Sequence, residues 1–522
     1  MAGYPDHVLI PFLIWLCSAI AVRILIHRFG AKKDHSKLPP SPPAYPVIGH
    51  LHLLSPVTHQ AFHKLTTKYG PIIQLYLGSN RCVVVSAPDI AKECLKDNAS
   101  VFCDRPQPSN AAYMTYDKSD FAMAPYGPYW KFMKRLCMTE LLGSKTLDRF
   151  GPIREEEVRK LVRLVLQKGL AGEEVNVGAE MIRVTNNNIT RMMMGRGWSE
   201  DENEAIKIGQ MIKEMVQLSA KFNLSDSFWF LKGVDLQQFK KRLELARGNF
   251  DAMMEKIMGE REHVRRERKK VGFDAEDHAK NDLLDILLDI SEDESSDMKL
   301  SRVNIKAFIM NIFGAGTDSS ALTVEWAMAE LINNPSCMRR ARDEIDRVVG
   351  NERLVKETDV ANLPYLQAIV KETLRLHPTG PLVARRSTHD CVIRGYDIPA
   401  NTNLFVNLWS IGKDPDHWVE PHVFRPERFM GGKDSKNVEW RGQQFHYMPF
   451  GSGTRSCPGA SLAMKIIPTC LASLIQCFEW RLSGQEIDCE VTDMEEAGGL
   501  TLRKARSLVC VPTLRLPCPP PL

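Results

Sequence analysis

Cys457 stands near the end of the segment Phe450-Gly451-Ser452-Gly453-Thr454-Arg455-Ser456-Cys457-Pro458-Gly459. A cysteine so placed can hold a haem iron as a thiolate, and a thiolate axial ligand pushes electron density onto iron and favours O–O cleavage. The apolar helical stretch Ala460-Ser461-Leu462-Ala463-Met464 follows at once. Its N-terminus lies beside the sulfur, where the partial positive charge favours the thiolate. Gly451 and Gly453 permit a tight turn and close approach to a flat macrocycle. Arg455 suits bidentate pairing with a carboxylate such as a haem propionate. A free cysteine is more often a small buried hydrophobe. Against that, Phe450, Gly453, Arg455, Cys457 and Gly459 at this spacing should co-occur by chance in roughly one chain in ten thousand this long.

A second chemical cluster is Ala315-Gly316-Thr317-Asp318-Ser319-Ser320, in mid-helix between about Ile305 and Asn333. Gly314 and Gly316 each cost a helix about 1 kcal/mol relative to alanine. Such a cost signals either close backbone approach or a local opening of the helix. Asp318 and Ser319 beside it supply an acid and a hydroxyl. O–O cleavage consumes two protons, and a carboxylate-fed hydroxyl and water relay can deliver them. A helix surface with small packing residues is the plainer alternative.

The cysteine segment resembles the haem-binding signature of the cytochrome P450 superfamily, and the resemblance extends over essentially the whole chain. It implies a mainly α (α+β) P450 fold: a helical body, small peripheral β-sheets and an N-terminal membrane anchor. It implies haem b, with Cys457 as the metal ligand and Phe450, Arg455 and Gly459 as cofactor-binding residues. Trp130-Lys131-Phe132-Met133-Lys134-Arg135 resembles the family's Trp-x-x-x-Arg helix, with Lys134 in place of arginine. Trp130, Lys134 and Arg385 are then expected at the propionates, though lysine offers a point charge instead of a fork. Glu372, Arg375 and Arg428 are expected to form a buried ion-pair network. Asp318 and Ser319 become the catalytic pair, with serine where the family usually has threonine.

The chain has no dinucleotide or flavin fingerprint of its own, so electrons are expected from NADPH through a separate NADPH–cytochrome P450 reductase. Phe222-Asn223-Leu224-Ser225-Asp226, Val234-Asp235-Leu236-Gln237, Asp285-Ile286-Leu287-Leu288-Asp289 and Ile475-Gln476-Cys477-Phe478 resemble the plant group that oxidises flavonoids. The resemblance points first to oxidation of a flavanone at C2. An isoflavonoid or pterocarpan hydroxylase, or a 2-hydroxyisoflavanone synthase, comes second. Ala384 stands where isoflavone-forming members carry lysine. A reductase-independent haem-thiolate isomerase or dehydratase is a different class, and such enzymes typically lack the acid and alcohol pair. A non-catalytic haem sensor is the third class.

These residues need a large scaffold, and the composition provides for one. The chain has 522 residues, 44% hydrophobic and 25% charged, ordinary values for a globular protein. A net charge of +4 gives no reason to expect a nucleic-acid partner. Thirteen cysteines without metal-type spacing argue for a reducing compartment. Val8–Ile26 is apolar and near the minimum length of a membrane span; His27, Arg28, Lys32, Lys33 and Lys37 follow it. Positive charge on that side places the body in the cytosol. The expected organisation is an anchor over 1–28, a basic and proline-rich linker over 29–50 and a haem domain over 51–522. In the P450s that this chain resembles, such an anchor implies a single-pass protein of the endoplasmic reticulum membrane.

Within the body, Ile72–Leu77 and Cys82–Val85 read as a hairpin. Helical patterns dominate from about 130 to 375, including 206–218, 243–257 and 305–331. Met192-Met193-Met194 reads as core filler. Arg261–Lys270 reads as a solvated helix end and loop, and 293–297 as a surface loop. A lipophilic substrate pocket is expected from Gln107–Phe121, Phe222–Phe230, Phe308–Ala315, Thr379–Ala384 and Gly498–Thr501.

Overall fold

The computed structural model describes residues 37–54, 56–116, 119–195, 202–219, 221–270, 282–431, 438–483 and 491–515, with Pro11, Trp15 and Ser18 near the start. Of the predicted anchor only those three residues are described, all in helix; the rest of 1–28 and linker residues 29–36 lie outside the described residues. The longer helices are α1 (Thr58–Tyr69), α2 (Pro128–Leu136), α3 (Gly151–Ala171), α4 (Val177–Met194), α5 (Glu202–Ser219), α6 (Phe239–Lys270), α7 (Leu283–Glu292), α8 (Arg302–Asn333), α9 (Pro335–Val348), α10 (Pro364–Leu376) and α11 (Ala460–Cys477). The architecture is the expected helical body with small sheets.

Helix α8 is the axis of the body because it has no polar face to offer water. It starts at a capping box in which Ser301 and Asn304 exchange side-chain and backbone hydrogen bonds. Its flanks are buried, at Ile305 to Met310 with Phe313 and from Ser320 to Leu331. The two glycines serve close approach, and the helix is unbroken through them. A Cβ on Gly316 would lie 2.6 Å from Ile189 Cδ1 of α4, and one on Gly314 would lie 3.0 Å from Val216 Cγ2 of α5. Met192, Met193 and Met194 of α4 are buried in the same core.

Four strands form the main sheet, in the order β1 (Ile72–Leu77), β2 (Asn80–Val85), β7 (Asn403–Asn407), β4 (Leu382–Arg386). Leu77 pairs with Asn80, so a two-residue turn, Gly78-Ser79, closes the predicted hairpin. β2 runs parallel to β7, with Cys82 opposite Asn403. β4 returns antiparallel, with Arg385 opposite Leu404. Elsewhere β3 (Val175–Asn176), β11 (Val509–Leu514) and β8 (Phe478–Leu482) form one sheet. β5 (Cys391–Ile393) pairs with β6 (Tyr396–Ile398), and β9 (Glu496–Ala497) with β10 (Arg503–Lys504).

One expectation needs correcting in part. Residues 261–270 are the last turns of α6, a helix end with exposed residues as expected, but they are helix throughout and contain no loop. Arg261 pairs with Asp282 at 2.7 Å and Asp285 at 2.9 Å, and Arg265 pairs with Asp289. The basic run is answered by acids on and just before α7, which a reading of the run by itself does not reveal. Residues 293–297 do form a connection before α8. Helix α11 is apolar and long enough to cross a membrane, but it is buried inside the body.

Glu372 and Arg375 have fully buried side chains. Arg375 Nε and Nη2 each donate to the Glu372 carboxylate at 2.7 Å. Arg428 Nε reaches the same carboxylate at 2.9 Å. Arg375 also donates to the carbonyls of Gly412, Pro421 and Val423, tying α10 to the chain that leads to the Cys457 segment. Glu372→Ala leaves two buried cations without their anion. It should cost roughly 3–5 kcal/mol of stability, read as a lower denaturant midpoint; an unchanged midpoint would show that the pair carries no such weight.

Candidate functional site

The Cys457 segment is a closed loop. Cys457 N–H donates to Phe450 O at 3.0 Å and Ser456 N–H to Gly453 O at 3.1 Å. Gly453 has φ +71°, and a Cβ there would sit 2.3 Å from the carbonyl oxygen of Leu95. The collision that requires glycine is therefore with the chain's own backbone. Phe450 packs edge-on against Trp440, with ring centres 5.5 Å apart. Gly459 is the N-cap of α11.

Cys457 is exposed by surface area, yet burial is the first cause that pushes its thiol up. Both hold when a sulfur opens onto a cavity within the fold. The amides of Gly459 and Ala460, with Lys134 and Arg105, pull the other way and favour the thiolate. Helix α8 carries a similar sign of a cavity: Ala315 is exposed although it lies between two buried flanks.

Four of the predicted cofactor residues converge beside the cysteine. Arg455 lies over the Trp130 ring, 4.5 Å from its centre. It donates to the carbonyls of Cys103 at 2.9 Å and Ala124 at 2.6 Å. Arg385 Nη1 donates to Ala384 O at 2.8 Å and Nη2 to Arg455 O at 3.4 Å. Lys134 Nζ donates to Ser456 O at 2.8 Å, so the lysine grips the residue before the cysteine. The sequence reading missed Arg105, whose Nε is buried without a hydrogen-bond partner. No motif marks it. It becomes recognisable only in the fold, where carbonyls on either side of it, of Cys103 and Ala124, meet Arg455 over the Trp130 ring.

This cluster is short of negative charge. Burial, then Arg105 and Arg455, hold the Arg385 guanidinium down to about 9. Burial, then Arg105, brings Arg455 to about 10. Burial likewise lowers Arg105 and Lys134. Asp104 and Asp120 are the carboxylates acting on these groups, and burial raises Asp120 to about 6. Three guanidiniums and an ammonium thus face two carboxylates, one of them drawn toward its neutral form. A flat dicarboxylate with a thiolate-seeking metal answers each feature: the orphan Arg105 Nε, the excess cations and the cavity-facing sulfur. The residues fit haem.

Asp318 and Ser319 lie on the other wall, on α8. Ser319 Oγ donates to Ala315 O at 2.8 Å. Asp318 is ion-paired with Arg503 of β10. Thr379 Oγ1 lies 3.0 Å from Thr323 Oγ1 and 3.5 Å from Ser319 O. The chain from Thr379 to Arg385 therefore runs from the Ser319 wall to the cation cluster. Six residues of extended chain span at most about 20 Å, which bounds the height of the space between. A Cβ on Gly451 of the cysteine loop would lie 3.9 Å from Val383 Cγ2. Phe121, from a predicted pocket segment, stacks on Trp130 with ring centres 5.9 Å apart. Asn311 of α8 holds that segment by accepting from Ala122 N–H at 2.8 Å.

A family model described as Cytochrome P450 matches residues 39–511. A Glycine max protein named 3,9-dihydroxypterocarpan 6A-monooxygenase is 50% identical over 97% of this chain and 98% of its own length. Cytochrome P450 93A3 of Glycine max is 52% identical over 96% of this chain and 98% of its own. A 2-hydroxyisoflavanone synthase of Glycyrrhiza uralensis is 41% identical, covering 94% of each. Among solved structures, a zebra fish cytochrome P450 with progesterone superposes with a TM-score of 0.69 at 24% identity, covering 87% of this chain and 99% of that one.

Arg385→Leu should hasten haem loss to a scavenging apoprotein by about tenfold to a hundredfold, the worth of one charge-assisted hydrogen bond. The haem-free chain should not be destabilised, because there the buried charge is a cost. Unchanged haem release would place Arg385 outside the cofactor site.

Proposed function

The chain belongs to the cytochrome P450 family and is a haem-thiolate monooxygenase; on that premise we propose that it inserts one oxygen atom into a C–H bond of a plant pterocarpan or related isoflavonoid. The observation that carries the substrate class is the 50% identity, end to end, with the soybean 3,9-dihydroxypterocarpan 6A-monooxygenase. Oxidation of a flavanone at C2 is the second reading. It rests on the flavonoid-group resemblance of segments such as Phe222–Asp226.

In this proposal Cys457 is the iron ligand, with Phe450 and Gly459 shaping its loop. Trp130, Lys134, Arg385 and Arg455, joined by Arg105, hold the propionates. Bound haem supplies the O–O bond cleavage. The protein's own part is to exclude water, orient the substrate and move protons. Asp318 provides the exchangeable proton. Ser319 keeps both acceptor lone pairs free while its own proton goes to Ala315 O, so it can receive a proton donor on the cavity side. One oxygen atom enters the substrate and the other leaves as water. Two electrons come from NADPH through a partner reductase, and two protons from solvent. The anchor at 1–28 and the linker at 29–50 would hold the catalytic body on the cytosolic face of the endoplasmic reticulum membrane.

Two measurements check this. Microsomes holding the chain should show a thiolate-type Soret band when reduced under CO, and Cys457→Ala should abolish it. With a plant reductase and NADPH, the same microsomes should hydroxylate a 3,9-dihydroxypterocarpan in preference to naringenin or liquiritigenin. Turnover of the flavanones alone would replace the first substrate reading with the second.

A further inference from the structure

Helix α1 starts without the groups that usually hold a helix start. Its N-cap is Val57, which makes no side-chain cap, and its first turn carries no acid. The anion comes from the far end of the chain. Glu496 of β9 accepts from His59 Nε2 at 2.7 Å and from Gln60 Nε2 at 2.8 Å. The side chains of His59 and Glu496 are only 4% and 7% exposed. The second carboxylate oxygen accepts from Trp409 Nε1 at 2.8 Å, and Lys413 Nζ lies 3.9 Å from the centre of the Trp409 ring. Burial pushes the Glu496 carboxyl up, but His59, Gln60, Lys413 and Trp409 outweigh it and hold it at about 2. The carboxylate is therefore ionised with both oxygens engaged, and it has no part in the proton or haem chemistry.

Glu496 stands just before the hairpin segment expected to line the pocket, Gly498–Thr501. The ladder of that hairpin has two residue pairs, Glu496 with Lys504 and Ala497 with Arg503. So short a ladder does not fix the residues between its strands; they are fixed at their two ends. At the later end Leu502 N–H donates to Thr379 O at 2.9 Å, and Trp326 Nε1 of α8 donates to Leu502 O at 3.0 Å. Thr379 Oγ1 in turn lies 3.5 Å from Ser319 O. At the earlier end a Cβ on Gly498 would lie 3.0 Å from Pro56 O, so the segment rests on the chain that enters α1, and Glu496 is the polar tie there. We propose that Glu496 is a positioning residue for substrate, holding the early arm of the hairpin on α1 and Trp409 and so fixing the wall formed by Gly498–Thr501. Substrate size and orientation are then read by a preset wall rather than by a loop that closes around the ligand. The tie is separate from the Leu502 end, so its loss frees one end of the wall and leaves the other in place. This rests on the monooxygenase reading of the site and on the pocket position of that segment.

The test uses the full chain with its reductase. Glu496→Gln keeps the shape of the side chain and removes its charge. Glu495→Gln makes the same change on the exposed neighbour and serves as control. Two iron-ligating probes separate the wall from the iron: clotrimazole fills a pocket while it coordinates, and imidazole reaches the iron alone. Glu496→Gln should weaken clotrimazole binding by roughly tenfold, the low end of what hydrogen bonds to a charged group are worth. Imidazole affinity and the CO-bound spectrum should match the parent. The KM for 3,9-dihydroxypterocarpan should rise with kcat little changed, the signature of lost uniform binding. Hydrogen–deuterium exchange of the purified ferric protein should quicken in residues 56–62 and 496–501 together. Trp409→Phe removes one donor and keeps a ring beside Lys413; it should act in the same direction more weakly, and it carries the test if Glu496→Gln loses haem. Clotrimazole affinity unchanged in both variants, an equal loss of imidazole, or the same loss in Glu495→Gln would each overturn the positioning role. If the clotrimazole pattern holds and the parent leaves the pterocarpan untouched, the substrate reading fails and the tie stands. If the parent hydroxylates the pterocarpan and Glu496→Gln alters neither KM nor clotrimazole binding, only the tie fails.

Discussion

A guanidinium buried to zero exposure survives only if its N–H groups are answered, and Arg375 meets that condition. Glu372 takes two of its contacts, and carbonyls at residues 412, 421 and 423 take the others. The carbonyls come from a stretch with little regular structure, which cannot be held by strand ladders or helix packing. The arginine acts as the missing secondary structure for that stretch. Glu372 completes it by fixing Arg428 from the same stretch. The stretch from Gly412 to Arg428 is thereby held in place without being regular.

The cations around Trp130 follow the opposite logic. Burial depresses Arg105, Arg385 and Arg455, Arg105 further depresses the other two and Arg455 depresses Arg385, and the neighbouring acids do not offset this. Buried charge of one sign is unstable alone and becomes favourable when an anion arrives. One network is complete within the polypeptide, and on the proposed assignment the other would be completed by the haem carboxylates. The first holds the stretch that carries Arg428, and the second would give bound haem a share in the stability of the fold.

How much of this is legible in the sequence depends on how far each interaction reaches. Cys457, Gly459 and Arg455 share one short loop whose residue types state their chemistry. Glu372 and Arg375 are one helical turn apart, and Met192–Met194 declare themselves by composition. Arg105 and Asp120 carry no such mark, since their burial arises only in the fold. The pairing of Asp318 with Arg503 joins residues 185 positions apart. Arg261 and Arg265 of the basic run gave no sign of their acid partners, because those lie on and before a separate helix. Gly314 and Gly316 left two explanations open, and Ile189 and Val216 on neighbouring helices decide between them.

The parallel pairing of β2 with β7 bears on the order in which the protein can form. Cys82 sits opposite Asn403, so 321 residues of chain separate the two partners. At 5–20 residues per second of synthesis, that interval is roughly a quarter of a minute to a minute. For that time the hairpin of β1 and β2 has an unpaired edge, and Arg105 waits without Arg385 or Arg455. The proposed cofactor residues come from distant parts of the message, from Arg105 to Cys457, and meet only once most of the chain is made. On that assignment haem capture would be a late event in the life of the nascent chain.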